Sequence, residues 1–167
     1  MILTDFGAIL RVLGDAGVRF ILVGGVAASA HGSIRLTTDV DVVYERSPEN
    51  LARIVNALRP LEPYLRGAPP GLPFIFDAET LRRGFNFTLV TTLGHIDLLG
   101  EIAGGGTYQN LLPHSVTLAL FGIECQCLEL KHLIHVKRAA GRPKDFEAIA
   151  ELEALLEEQG GEERGGD

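Results

Sequence analysis

The pattern of hydrophobic and polar positions predicts a chain in which helices and strands alternate. Residues 3–16 carry apolar side chains at helical spacing, whereas residues 18–23 form a short apolar run ended by two glycines, as in a buried strand. Residues 39–44 alternate acidic and apolar side chains, which is typical of a strand with two different faces. Along the whole chain, the pattern predicts helices at 3–16, 26–31, 48–58, 128–140 and 143–155, and strands at 18–23, 39–44, 85–92, 95–99, 116–120 and 123–128.

Turn residues indicate how these elements connect. Leu93-Gly94 and Phe121-Gly122 each separate two strands by a length that suits an antiparallel hairpin. Residues 60–73 hold five prolines and two glycines, which predicts an irregular surface loop. The expected fold is therefore α/β, a twisted mixed sheet flanked by helices. It is expected to occupy one domain over residues 1–158, followed by a disordered acidic and glycine-rich tail at 159–167.

The composition and charge of the chain exclude some classes of protein and of binding partner. The chain has 167 residues, of which 46% are hydrophobic, enough to build one substantial core. A net charge of −7 argues against a broad electrostatic surface for nucleic acid, although it leaves a local basic groove open. No apolar stretch is long enough to span a bilayer and no signal peptide is evident, so a cytoplasmic protein without a membrane partner is expected.

Residues 20–44 hold the clearest candidate chemistry. A predicted strand ends at Gly24-Gly25, a turn at which backbone N–H groups can approach a phosphate closely. After thirteen intervening residues, Asp39 and Asp41 lie two apart on the next strand, so both carboxylates project to the same side, as oxygen ligands of a hard divalent cation must. Asp97 lies within a later apolar strand, where a carboxylate is costly unless it is paired or bound to a metal.

The order of these residues resembles the nucleotidyltransferase superfamily that shares the DNA polymerase β palm-like fold. Its pattern is a Gly-Gly or Gly-Ser turn, a DxD strand about a dozen residues later, and a third acid on a further strand. The positions that match are Gly24, Gly25, Asp39, Asp41 and Asp97. Residues 130–155 are similar to the C-terminal part of AbiEii-type toxin-like nucleotidyltransferases, which carry a helical lysine followed by a basic Arg-x-Lys-Asp element. The matching positions there are Lys137, Arg142, Lys144 and Asp145.

The resemblance implies a nucleotidyltransferase fold and a nucleotide-transfer reaction that depends on Mg²⁺ or Mn²⁺. The three aspartates would hold the metal, and Asp97 would also serve as the general base. Lys137 would act on the triphosphate of the donor NTP, with further nucleotide contacts from Gly24, Gly25, Arg35, Arg142 and Asp145. The implied acceptor is a hydroxyl on tRNA or another RNA, on a protein or on a small molecule. A toxin-like role with a cognate antitoxin as partner is also implied.

Each of these residues also has a purely structural interpretation. The two glycines suit an ordinary tight turn, Asp39 and Asp41 a solvated edge strand, and Asp97 a buried ion pair with Arg35 or a lysine. The basic residues suit a solvated helix face, and Asp145 suits a helix cap. His132 and His135 are interpreted as half-buried surface residues because no further His or Cys completes a metal-ligand set. His95, two residues before Asp97, suits either a strand residue or a contact to the acidic group.

Two further functions stay open beside the metal-dependent transfer to RNA, protein or a small molecule. One is a nucleotide-binding or interaction module that keeps the fold without turnover. The other is a small-molecule nucleotidyltransferase of the antibiotic-modifying kind, with the 60–76 loop framing the acceptor. Metal-dependent release of pyrophosphate distinguishes an enzyme from a binding module.

Overall fold

The computed structural model of the chain describes residues 3–164, in which helices and strands alternate. The helices are α1 (Phe6–Asp15), α2 (Gly24–Ala30), α3 (Pro48–Leu58), α4 (Ala78–Arg83), α5 (Tyr108–Leu111), α6 (Leu130–Ala140) and α7 (Phe146–Arg164). The strands are β1 (Phe20–Val23), β2 (Asp39–Tyr44), β3 (Tyr64–Leu65), β4 (Phe87–Thr91), β5 (Gly94–Leu99), β6 (Glu101–Ile102), β7 (Gly106–Thr107), β8 (Ser115–Leu120) and β9 (Ile123–Leu128). Single 3-10 turns lie at Arg59–Leu61, Leu112–His114 and Pro143–Asp145.

Seven of the strands form one mixed sheet in the order β3-β4-β5-β2-β1-β9-β8, and β6 pairs with β7 in a separate ribbon. β1 is antiparallel to β2 and parallel to β9, whereas β2 is parallel to β5. All four residues of β1 are buried, as expected for a central strand that is covered on both faces. The predicted α/β chain with a mixed sheet flanked by helices is confirmed at this level.

The register of the central strands brings the candidate residues to one region of the sheet. Val23, the last residue of β1, lies opposite Asp41 of β2. On the other side of β2, Asp41 pairs with Asp97 of β5. The turn after β1 and the acid-bearing positions of β2 and β5 are therefore neighbours in space.

Local sequence signals explain where several helices begin and end. Asp5 caps α1 by accepting a hydrogen bond from the Ala8 backbone N–H at 3.0 Å. Ser47 caps α3 in the same way, with Pro48 at the first helical position, and the predicted bounds of this helix are confirmed. Gly141 ends α6 in the left-handed conformation, with φ of 64°.

Both predicted hairpins are confirmed. β4 and β5 pair antiparallel around a short turn, with Thr91 opposite Gly94. β8 and β9 pair in the same way, and Phe121 and Gly122 between them have φ of 52° and 82°. Positive φ at both central residues matches the twist of the flanking strands, which is why two-residue hairpins favour it.

The predicted irregular loop at 60–73 is wrong in one respect. It contains β3, a two-residue strand that pairs with β4 at the edge of the sheet. The short helices α4 and α5 and the ribbon of β6 and β7 were also not predicted. Elements of two to six residues are too short to show a hydrophobic period, so the pattern gave no signal for them.

The C-terminal helix is longer than predicted. The expected helix at 143–155 starts as a 3-10 turn and continues as α7 to Arg164. The tail predicted to be disordered from residue 159 thus begins inside a helix, and residues 165–167 lie outside the described part. Among the helices described, none combines the length and the apolar character needed to cross a membrane.

Candidate functional site

Three predicted metal ligands, Asp39, Asp41 and Asp97, meet on neighbouring strands. Asp39 and Asp41 point to the same side of β2, and Asp97 lies beside Asp41 on the parallel strand β5. One carboxylate oxygen from each residue lies within 4.8 Å of the other two. We call this group the acidic cluster. It presents an all-oxygen set of ligand atoms, which suits a hard divalent cation.

Asp41 is the electrostatically least satisfied member of the cluster. Its Oδ1 atom is buried and has no hydrogen-bond partner among the described residues. Burial, the neighbouring charges of Asp97 and Asp39 and a hydrogen bond with Asp97 together raise the pKa of Asp41 to about 7, against the opposing effect of Arg66. The negative charge of the three carboxylates is therefore incompletely balanced at Asp41.

Arg66 supplies part of that charge, and the sequence analysis missed it. The residue follows β3, and its Nη2 atom donates to Asp97 Oδ1 at 2.8 Å and to the Leu89 carbonyl oxygen at 2.8 Å. Its Nη1 atom lies 3.6 Å from Asp39 Oδ2. The ion pair considered for Asp97 thus exists, but its partner is Arg66 and not Arg35 or a lysine.

Two polar neighbours hold the Asp39 carboxylate. Thr38 Oγ1 donates to Asp39 Oδ1 at 3.1 Å, and His95 Nδ1 lies 3.2 Å from the same oxygen. His95 precedes Asp97 by two residues on β5, so the two side chains share a face. Of the two interpretations of His95, the structure supports a contact with the acidic cluster.

The two turn glycines make room for residues of this site. Gly24 has φ of 70°, which side chains rarely permit, and a Cβ atom there would overlap the Asp41 carboxylate. A Cβ at Gly25 would lie only 2.6 Å from Thr37 Oγ1. The glycines are thus required for close packing of the turn against β2 and the residues just before it, and this requirement holds whether or not a phosphate binds there.

A cavity of about 460 Å³ opens beside the acidic cluster, and we call it the central cavity. Asp41 and Gly24 line one side of it, and Lys137 and Arg142 line another. The remaining lining is apolar and consists of Val23, Leu99, Ile102, Ala103, Leu128, Leu133, Val136 and Ala140. The structure therefore brings Lys137, Arg142 and one member of the acidic cluster, Asp41, to one space, although the sequence separates them widely.

Asp145 holds the two basic residues of this cavity. Its carboxylate accepts from Arg142 Nε at 2.7 Å and lies 3.7 Å from Lys137 Nζ. Asp145 is buried, and hydrogen bonding and charge from Arg142 and Lys137 lower its pKa against the opposing effect of burial. Its contacts are those of a residue that positions Lys137 and Arg142.

Arg35 does not line the central cavity. It lines a smaller hollow of about 140 Å³ next to it, together with Gly25 and Lys137. Its Nη1 atom lies 3.8 Å from the exposed Glu147 carboxylate. Of the four basic or acidic residues expected to contact the nucleotide, Lys137, Arg35, Arg142 and Asp145, Arg35 alone neither lines the central cavity nor forms an ion pair with a residue that does.

No protein-family model matches the sequence, and no curated protein is significantly similar to it. The functional argument therefore rests on the geometry and charge of the site.

Proposed function

We propose that this chain is a metal-dependent nucleotidyltransferase that transfers a nucleoside monophosphate from an NTP to a hydroxyl acceptor. The observation that carries the proposal is the buried, unpartnered Oδ1 of Asp41 within a group of three carboxylates at the wall of a cavity. A buried acceptor without a donor is costly, and a bound cation removes that cost.

The residues fit Mg²⁺ or Mn²⁺. Asp39, Asp41 and Asp97 offer only carboxylate oxygens, whereas softer metals prefer imidazole or thiolate ligands. Such ions would neutralise charge on the triphosphate and increase the acidity of an acceptor hydroxyl. The raised pKa of Asp41 supports this assignment, because it reflects a repulsion that a divalent cation relieves.

The protein's own residues would bind and orient the reactants. Lys137 and Arg142 line the same cavity as Asp41. An anionic phosphate chain bound in this cavity would therefore be held by the two basic side chains. Asp97 would accept the proton of the acceptor hydroxyl. Gly24 leaves the approach to Asp41 free of a side chain.

The cavity favours an acceptor with an apolar part. Eight of its lining residues are apolar, and its volume of about 460 Å³ lies within the range of small-molecule sites. The net charge of −7 argues against a long RNA acceptor. Among the proposed acceptors, a small organic hydroxyl compound is therefore preferred to RNA. The 60–76 loop, which was expected to frame such an acceptor, does not line the cavity.

A second candidate is a binding module without turnover. The specific observation in its favour is Arg66, whose guanidinium already contacts two of the three carboxylates. If Arg66 serves as the permanent cation of the cluster, the protein would bind a nucleotide without metal and without reaction.

Release of pyrophosphate from each of the four NTPs, with Mg²⁺ and with excess chelator, separates the two candidates. We expect metal-dependent release that increases when hydroxyl-bearing small molecules are added. Tight NTP binding that is equal in chelator, without pyrophosphate release under any condition, would establish the binding module and contradict the enzyme.

A further inference from the structure

Three metal-binding side chains meet on the surface at the start of α6, outside the central cavity. They are His114, Glu129 and His132, and one ligand atom of each lies within 4.8 Å of the other two. The sequence analysis treated His132 as a residue without a completing set. The structure supplies that set from the 3-10 turn before β8 and from the residue that precedes α6.

The backbone fixes the relative position of the three residues. The hairpin of β8 and β9 pairs Ser115 with Leu128 at its open end. His114 precedes this pair and Glu129 follows it, so the two residues lie side by side. The Glu129 backbone N–H donates to the His114 carbonyl oxygen at 2.9 Å. His132 follows Glu129 by three residues on the same helix face. The site is thus built on regular elements rather than on a long loop.

The ligand types point to a different metal from that of the acidic cluster. Two imidazoles and one carboxylate form a ligand set that suits Zn²⁺ and similar transition cations, whereas Mg²⁺ prefers oxygen ligands alone.

Binding requires one rotation. The rings of His114 and His132 are stacked, with centroids 4.0 Å apart and planes within 4°. Since a metal lies in the plane of each ring that binds it, two rings stacked face to face cannot both bind one ion. The His114 side chain is 46% exposed, so its ring has space to turn about the Cβ–Cγ bond.

We propose that His114, Glu129 and His132 form a site for a zinc-type divalent cation, with the remaining coordination positions open to water. The ion would link the 3-10 turn at Leu112–His114 to the first turn of α6. Because α6 also carries Lys137, the ion would stabilise the helix that lines the central cavity. This proposal does not depend on the nucleotidyltransferase reaction.

The test uses Zn²⁺ titration of the full chain in competition with a chromophoric chelator, together with Co²⁺ as a spectroscopic probe of imidazole coordination. Three variants remove one ligand each: His114→Ala, Glu129→Gln and His132→Ala. We expect each to weaken Zn²⁺ binding by about 10-fold or more. Glu129→Gln keeps the size of the side chain, and the Glu129 side chain makes no capping bond to α6, so this variant should fold normally.

His135→Ala is the matched control, since it removes a histidine of the same helix that lies outside the ligand set. We expect its Zn²⁺ affinity to change by less than about 2-fold, and Asp41→Asn to leave Zn²⁺ binding intact. Equal losses in His132→Ala and His135→Ala would overturn the proposal. So would loss of Zn²⁺ binding in Asp41→Asn, because the ion would then occupy the acidic cluster, and so would the absence of Zn²⁺ binding by the unaltered chain.

Discussion

On the strand side of the central cavity one guanidinium accompanies three carboxylates, whereas on the helix side one carboxylate accompanies two cations. Arg66 forms ion pairs with Asp39 and Asp97 but not with Asp41, and Asp145 forms ion pairs with both Lys137 and Arg142. Each side thus keeps an excess of one sign. The two excesses are opposite and face one space.

This difference shows what the cavity can complement. A ligand that presents a cation to the strands and an anion to α6 satisfies both sides, and a metal–triphosphate complex has that character. A purely anionic ligand would satisfy only the helix side. We therefore expect variants on the strand side to change metal binding and variants on the helix side to change phosphate binding.

The largest expected effect comes from Asp41→Asn. We expect turnover to fall by at least about 100-fold, because the substitution removes a central anionic ligand of the proposed metal. Pyrophosphate release and Mn²⁺ titration measure the effect. Asp15→Asn, at the exposed end of α1, is the control and should leave both unchanged. Full activity in Asp41→Asn would remove the acidic cluster from the mechanism.

The raised pKa of Asp41 predicts an unusual pH dependence in chelator. Its ordinary value is 3.8 and its value in the fold is about 7, so the folded state holds a proton that the unfolded state releases. The contribution of this group to stability is complete below pH 4 and is lost as the pH rises through 7. Between pH 5 and 7, its contribution should fall by roughly 2 kcal/mol.

Urea unfolding at several pH values checks this decline, with Asp41→Asn as the reference, since the amide does not titrate. The difference between the two proteins isolates the one carboxylate from all other ionisable groups. A difference that stays constant from pH 5 to 8 would show that Asp41 is ionised throughout, and that the cluster is already neutralised by Arg66.

Arg66→Met tests the guanidinium itself. The substitution leaves Asp97 and the Leu89 carbonyl oxygen without the Arg66 donor, which should destabilise the metal-free protein by about 1–3 kcal/mol. Mn²⁺ should restore more stability to the variant than to the unaltered chain, since less positive charge then opposes the ion. Arg82→Met, at an exposed pair with Glu79, is the control and should leave the Tm unchanged. An equal increase in Tm on adding Mn²⁺ to the unaltered chain and to Arg66→Met would show that Arg66 does not influence metal binding.

Sequence reasoning located the acidic cluster but not its partner, for a physical reason. Asp39 and Asp41 could be paired from their spacing on one strand, and Asp97 stood out as a charge in an apolar run. Arg66 lies in a proline-rich segment, and its contact depends on the edge pairing of β3 with β4, which no local pattern encodes. The position of a side chain across a sheet edge is a tertiary property.

The histidine cluster had a signal that was overlooked. The predicted hairpin of β8 and β9 already implied that residues just outside its two ends would be neighbours, and these residues include His114 and Glu129. The completing ligand need not be His or Cys, because carboxylates also bind zinc. Combining strand register with ligand type would have found the group.

The smallest of the four effects is expected on the helix side. Lys137 lines the central cavity from α6 with a side chain that is 24% exposed, and it shares Asp145 with Arg142. Because Arg142 remains when Lys137 is removed, Lys137→Ala should reduce turnover by about ten-fold, equivalent to ~1.4 kcal/mol, while Mn²⁺ affinity without nucleotide stays the same. The charge of Lys137 matters most as negative charge develops on the leaving pyrophosphate, so the loss should appear in kcat.

Lys131→Ala is the matched control, because it removes an exposed lysine of the same helix. Equal losses in both variants would show that the lysines act only as surface charge, and a loss of Mn²⁺ affinity in Lys137→Ala would show that the two sides of the cavity are not independent.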